Sequence, residues 1–126
     1  MRHISASKYL FIAGAFIFGG FLISAIITKS APSSYDHFAQ CLTEKGVKMY
    51  GAYWCPHCQN QKEVFGNAFR YVTYEECATP GQPDVMTQAC KDAEVEGYPT
   101  WKNAAGEIRT GEQSLEELAT FSGCAL

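Results

Sequence analysis

The apolar positions along this chain change period several times, and each change marks an element. From Leu10 to Thr28 there is no polar alternation, and the run carries no charged side chain. As a helix it is long enough to cross a bilayer, which takes roughly 20 residues. Past Pro32 the pattern turns amphipathic. Tyr35, Phe38, Ala39 and Leu42 share one helical face, behind a cap at Ser33 or Ser34 and ahead of Gly46 in a terminating position. Val47 to Tyr53 is apolar enough for a central strand. Cys55 to Phe65 reads as a helix that tolerates Pro56 in its first turn and ends at Gly66. Tyr71-Val72-Thr73-Tyr74 is β-branched and aromatic, hence a strand. Ala78 to Pro83 has loop composition, and Val85 to Ala93 suits a short helix. A strand from Gly97 to about Asn103 turns at Ala105-Gly106 and returns over Glu107 to Thr110. Ser114-Leu115-Glu116-Glu117 has capping-box spacing and opens a last helix through Leu118 and Ala119, stopped by Gly123. The predicted order is α-β-α-β-α-β-β-α, an α/β domain without internal repeat.

Charge sharpens the organisation. Arg2 and Lys8 precede the apolar run, whereas only Lys29 follows it closely, so the positive-inside rule puts residues 1–9 in the cytoplasm. The run, 10–28, is longer than a usual secretory core of roughly 7–15 residues, and Pro32 would follow a cut at Ala31. It is expected to be an uncleaved signal anchor. Residues 29–33 form a short linker and 34–126 one domain outside the cytoplasm, in a periplasm or lumen. All 13 acidic side chains but only 7 of the 10 basic ones lie beyond Pro32. That balance argues against nucleic acid and against docking on anionic lipid.

The 6 cysteines, Cys41, Cys55, Cys58, Cys77, Cys90 and Cys124, all fall in the exported segment, which fits an oxidising compartment. Trp54-Cys55-Pro56-His57-Cys58 sits where strand gives way to helix. A cysteine there meets unsatisfied backbone N–H groups and the positive end of the helix dipole, both of which favour the nucleophilic thiolate. The second thiol, one turn on, can close a ring with the first.

Lys48 to Gln59 with its Cys-x-x-Cys, then Glu96-Gly97-Tyr98-Pro99-Thr100-Trp101, then Gln113 to Leu118, resemble the thioredoxin superfamily. The nearest resemblance is to the thioredoxin-like domain linked to bacterial vitamin K epoxide reductase homologues. It covers roughly Ser34 to Gly123 and implies a central mixed β-sheet flanked by helices. It also implies that Cys55 attacks and Cys58 resolves, and that Pro99 is a cis-proline beside them. Tyr98 would offer backbone hydrogen bonds to a substrate peptide, with Trp54 and Pro56 on the same substrate-facing surface. Cys77 and Cys90 resemble a second family pair. A bridge between them is worth about 3 kcal/mol by loop closure and is expected to be structural rather than redox-active. Cys41 and Cys124 stay open: the first and last helices of such folds usually cover opposite sheet faces, so a bridge and two buried thiols both remain. The Pro56-His57 dipeptide matches that of periplasmic disulfide oxidases, in which the histidine steadies the thiolate. Met49 stands where thioredoxin has a buried acid, six positions before the first cysteine.

The expected function is a membrane-anchored thiol–disulfide oxidoreductase of exported proteins. It would be oxidative and reoxidised by a quinone-linked, vitamin K epoxide reductase-like membrane partner. No cofactor beyond its own disulfide is expected. The alternatives are a reductase or isomerase of extracytoplasmic disulfides, a non-catalytic thioredoxin-like binding domain, and a zinc module using Cys55, Cys58, Cys77 and Cys90. Trp101, Phe65, Phe69 and Tyr50 are expected in the core and Glu94-Val95-Glu96 at a solvated corner. His3 and His37 are given no task.

Overall fold

A computed structural model describes residues 32–126. The expected cytoplasmic residues and membrane span lie outside them. Among the described residues no helix is long and apolar enough to cross a membrane. Helix α1 (Asp36–Glu44) leads into strand β1 (Lys48–Gly51), and helix α2 (Pro56–Phe65) follows. A 3-10 stretch (Gly66–Tyr71) then delivers the chain to β2 (Thr73–Glu76). Two short strands, β3 (Ala78–Thr79) and β4 (Gln82–Met86), precede α3 (Gln88–Asp92). The chain closes with β5 (Thr100–Lys102), β6 (Ile108–Thr110) and α4 (Leu115–Ser122).

The main sheet has the order β2-β1-β5-β6. β1 runs parallel to β2 and antiparallel to β5, and β5 and β6 form the expected hairpin. A parallel pair needs a long crossover, which α2 and the 3-10 stretch supply. Side chains alternate across β1: Met49 enters one apolar cluster and Tyr50 the other. The larger cluster holds Trp101, Phe65, Leu42, Met49 and Leu118, all essentially inaccessible. Phe65 is its centre, 6.1 Å from Phe38 and 6.0 Å from Trp101 between ring centroids. Phe69 packs against it half-buried. The smaller cluster joins Tyr50, Cys77, Cys90 and Val95. Val95 is therefore buried rather than part of a solvated corner; its glutamate neighbours alone face water.

Four local expectations change. The loop at Ala78 to Pro83 and the start of the next helix are instead a β-hairpin around Pro80-Gly81, with Thr79 opposite Gln82. Gly81 has φ of +77°, which suits the third residue of a proline-led turn. Only Gln88–Asp92 remains helical. Gly66 does not stop the chain from turning, because the 3-10 stretch continues to Tyr71 and β2 starts two residues late. Cys41 is bonded to Cys124, with Cα atoms 6.0 Å apart. The opposite-face expectation fails because α1 (Phe38, Ala39, Leu42) and α4 (Leu115, Leu118) line one cluster. Gly123, left-handed at φ of +72°, turns Cys124 back out of the helix toward it. The capping box at Ser114 forms as expected, with Ser114 Oγ accepting from the Glu117 N–H at 3.1 Å.

Candidate active site

Cys55 is the N-cap of α2, in extended conformation, and Pro56 fills the first helical position where no N–H is missed. The Cys55 N–H donates to the Ala52 carbonyl at 3.0 Å, which fixes the corner between β1 and α2. One turn later Cys58 points inward. Cys55 is 5% exposed and Cys58 0%. Both are free thiols. Burial pushes the Cys58 thiol up to about 12. The hydrogen bond and charge of Cys55 add to that, while a backbone hydrogen bond at Ala52 and the Lys62 ammonium oppose it.

Sheet topology brings the second half of the site. Tyr50 on β1 pairs with Thr100 on β5 in antiparallel register. The residues just before β5 must therefore lie beside the residues just after β1. These are Tyr98 and Pro99, joined by a cis peptide bond. Cys55 Sγ points at the Tyr98 carbonyl, 3.9 Å away. Pro99 is buried, and its carbonyl accepts from the Gly111 N–H at 2.7 Å, which ties this corner to the end of β6.

Around the thiols lies an apolar rim. Trp54 is 48% exposed, stands edge-on to Tyr98 with centroids 6.0 Å apart, and donates from Nε1 to the Pro83 carbonyl at 3.0 Å. The β3–β4 hairpin thus braces the residue next to Cys55. Tyr53 and Val85 are exposed nearby in the same elements, and Pro56 is exposed as well. Behind the hairpin Cys77 and Cys90 are bonded to each other, as the resemblance implied. That leaves Cys55 and Cys58 as two thiols where a zinc site of four was the alternative.

His57 stands in water at the front of the helix, with Nδ1 2.6 Å from Glu112 Oε1. Asn60 donates to the same oxygen at 3.2 Å. Hydrogen bonding by His57, then by Asn60, holds the Glu112 carboxyl below the usual carboxylate range. Sequence reasoning missed Glu112 because its partner is 55 residues away and no local pattern announces it. It missed Gln61 too. Fully buried, Gln61 donates to the Gln113 carbonyl at 2.9 Å and accepts from the Gln113 N–H at 2.7 Å and from Trp101 Nε1 at 3.3 Å. A buried amide is tolerated only with its hydrogen bonds made, and these clamp the Glu112 segment to α2.

A four-stranded mixed sheet with Cys-x-x-Cys at the first turn of a helix and a cis-proline beside it makes this a thioredoxin-like domain. It is similar to the thiol-disulfide oxidoreductase LTO1 of Arabidopsis thaliana, with 43% identity over 91 residues, 70% of this chain. The chain matches 24% of the length of that relative. No family model matches.

Proposed function

We propose that the chain is a membrane-anchored thiol–disulfide oxidoreductase of exported proteins. Cys55 is the nucleophile and Cys58 the resolving thiol. Pro99 shapes the site, and the Tyr98 backbone, Trp54 and Pro56 receive the client. His57 steadies the Cys55 thiolate, and Cys77–Cys90 is structural. The observation that carries this reading is the placement of the two thiols: Cys55 caps the helix against Tyr98–Pro99 and keeps a sliver of its surface in solvent, and Cys58, one turn on, keeps none. Similarity to a thiol-disulfide oxidoreductase over the described domain supports the reaction class.

A client thiolate attacks Cys55 Sγ of the Cys55–Cys58 disulfide, and Cys58 leaves. The client's second thiolate then displaces Cys55, so the client gains a disulfide and the domain keeps two thiols. The run at 10–28 anchors the domain outside the cytoplasm. A quinone-linked partner resembling vitamin K epoxide reductase reoxidises it, as the sequence resemblance implies. The test is the equilibrium of the full chain, in detergent, against glutathione. A potential near about −120 mV supports the oxidative direction, and one near about −270 mV turns the reading to a reductase.

A further inference from the structure

The buried sulfur of this site needs a proton path. Each time the disulfide opens, Cys58 leaves as a thiolate inside the fold, and each time it closes Cys58 must lose its proton there. The position beneath the thiols, six before Cys55, is Met49, fully buried and unable to carry a proton. The neighbouring strand offers another group. A Cβ placed on Gly51 would stand 2.7 Å from Cys58 Sγ, 3.2 Å from Tyr74 Cε2 and 3.3 Å from Tyr74 Oη. The thiol and the phenol therefore both pack against Gly51, and only a residue without a side chain leaves room for the two of them there.

Tyr74 is held in place. Lys62 Nζ lies 3.9 Å over its ring, Phe69 packs edge-on at 5.9 Å, and its hydroxyl donates to Glu76 Oε2 at 3.0 Å. Two residues along one strand share a face, so Tyr74 and Glu76 project together from β2. The other oxygen of Glu76 accepts from the Ala78 N–H at 2.9 Å and the Tyr53 N–H at 3.2 Å, which aims the carboxyl at the phenol. The titratable and charged groups around the Cys58–Tyr74 pair are Cys55 and Lys62 from α2, Glu76 from β2, which holds the phenol, and Tyr98 from the turn before β5.

We propose that Tyr74 and Glu76 form the proton path to Cys58, in place of a carboxyl group beneath the disulfide. The proposal rests on the oxidoreductase reading. As a client thiolate bonds to Cys55 Sγ, the Cys55–Cys58 bond breaks and Cys58 takes the electron pair. A proton from solvent enters at the Glu76 carboxylate, the phenol turns its own proton from Glu76 to the sulfur through one bridging water, and Tyr74 Oη then takes up the proton Glu76 received. In closure the same proton runs outward. Two shifts agree with this direction. Burial holds Cys58 up to about 12, so the nascent thiolate is a strong proton acceptor. Burial and then Glu76 raise the Tyr74 hydroxyl as well, so the phenol stays neutral and serves as a relay that hands on a proton only as it receives one.

The test follows the reduced full chain with oxidised glutathione by rapid quench. This separates attack by Cys55, which forms a mixed disulfide, from its resolution by Cys58. Tyr74→Phe keeps the ring, and Glu76→Gln keeps an acceptor for Ala78. Each is expected to slow resolution at least tenfold between pH 6 and 8 and to abolish its solvent deuterium isotope effect. Attack by Cys55 should stay within twofold. Resolution at the wild-type rate with the wild-type pH profile would overturn the path. So would slowing of both steps together with a lowered melting temperature, which marks a structural role. A wild-type chain that forms no mixed disulfide overturns the oxidoreductase reading itself, and the path with it.

Discussion

At the scale of single residues, the proposed chemistry divides between a sulfur that meets partners, Cys55, and one that does not, Cys58. If Cys55 attacks and Cys58 resolves, Cys58→Ser leaves client disulfides on Cys55 with nothing to release them. Affinity-purified Cys58→Ser chain should carry covalent client complexes several-fold above wild type, visible on non-reducing gels and lost with reductant. Equal trapping by Cys55→Ser would reverse the two roles. Gly51 is a second single-residue constraint. Alanine there would press on Cys58 Sγ at 2.7 Å and on the Tyr74 ring edge. Overpacking of that kind costs about 1–3 kcal/mol. Chemical denaturation of Gly51→Ala should show a loss in that range, and no loss would mean that the thiol and phenol are not packed as described. The Cys-x-x-Cys was legible in the sequence because its meaning is local, a strand-to-helix corner; the cis Tyr98-Pro99 bond came from the family resemblance, since an X-Pro bond read by itself favours trans. Glu112, Gln61, Tyr74 and Glu76 were not legible, since what makes each of them matter is a partner brought in by folding.

At the scale of elements, α2 is fixed from three sides: by the Cys55 corner, by the Gln61 clamp to Gln113, and by Phe65 at the centre of the core. The disulfides fasten what the small core cannot. Cys41–Cys124 closes a separation of 83 residues and Cys77–Cys90 one of 13. The loop-closure account makes the first worth roughly 4–5 kcal/mol and the second about 3. Removing each pair by double alanine substitution should lower stability in that order, read by denaturant titration with tryptophan fluorescence. A cost below about 1 kcal/mol for the Cys41–Cys124 pair would show that it does not hold α4 to α1. Element existence was largely legible, because the helical faces of α1 and α4, the capping box and the β5–β6 turn are written in short spacings. The β3–β4 hairpin was not. Its strands are short and mostly exposed, so they lack the apolar alternation that reveals a strand, and only Pro80-Gly81 hinted at a turn. The Cys41–Cys124 bridge was hidden for another reason: a left-handed Gly123 decides where Cys124 points.

At the scale of the whole molecule, one topological fact organises the site. β5 runs antiparallel to β1, so the turn before it falls beside the cysteines, and the parallel neighbour β2 brings Tyr74 and Glu76 behind them. In the proposed reading the client meets the Trp54 and Tyr98 side of Cys55, and the proton path approaches Cys58 from β2. The most direct check is thiol-resolved alkylation of the native chain with only the Cys55–Cys58 pair reduced, with each cysteine peptide quantified by mass spectrometry. Cys55 should be alkylated first, and Cys58, fully buried and with its thiol pushed up by that burial, should lag well behind it across pH 6 to 9. Cys58 reacting as fast as Cys55 near pH 7 would contradict the division of labour on which the account stands.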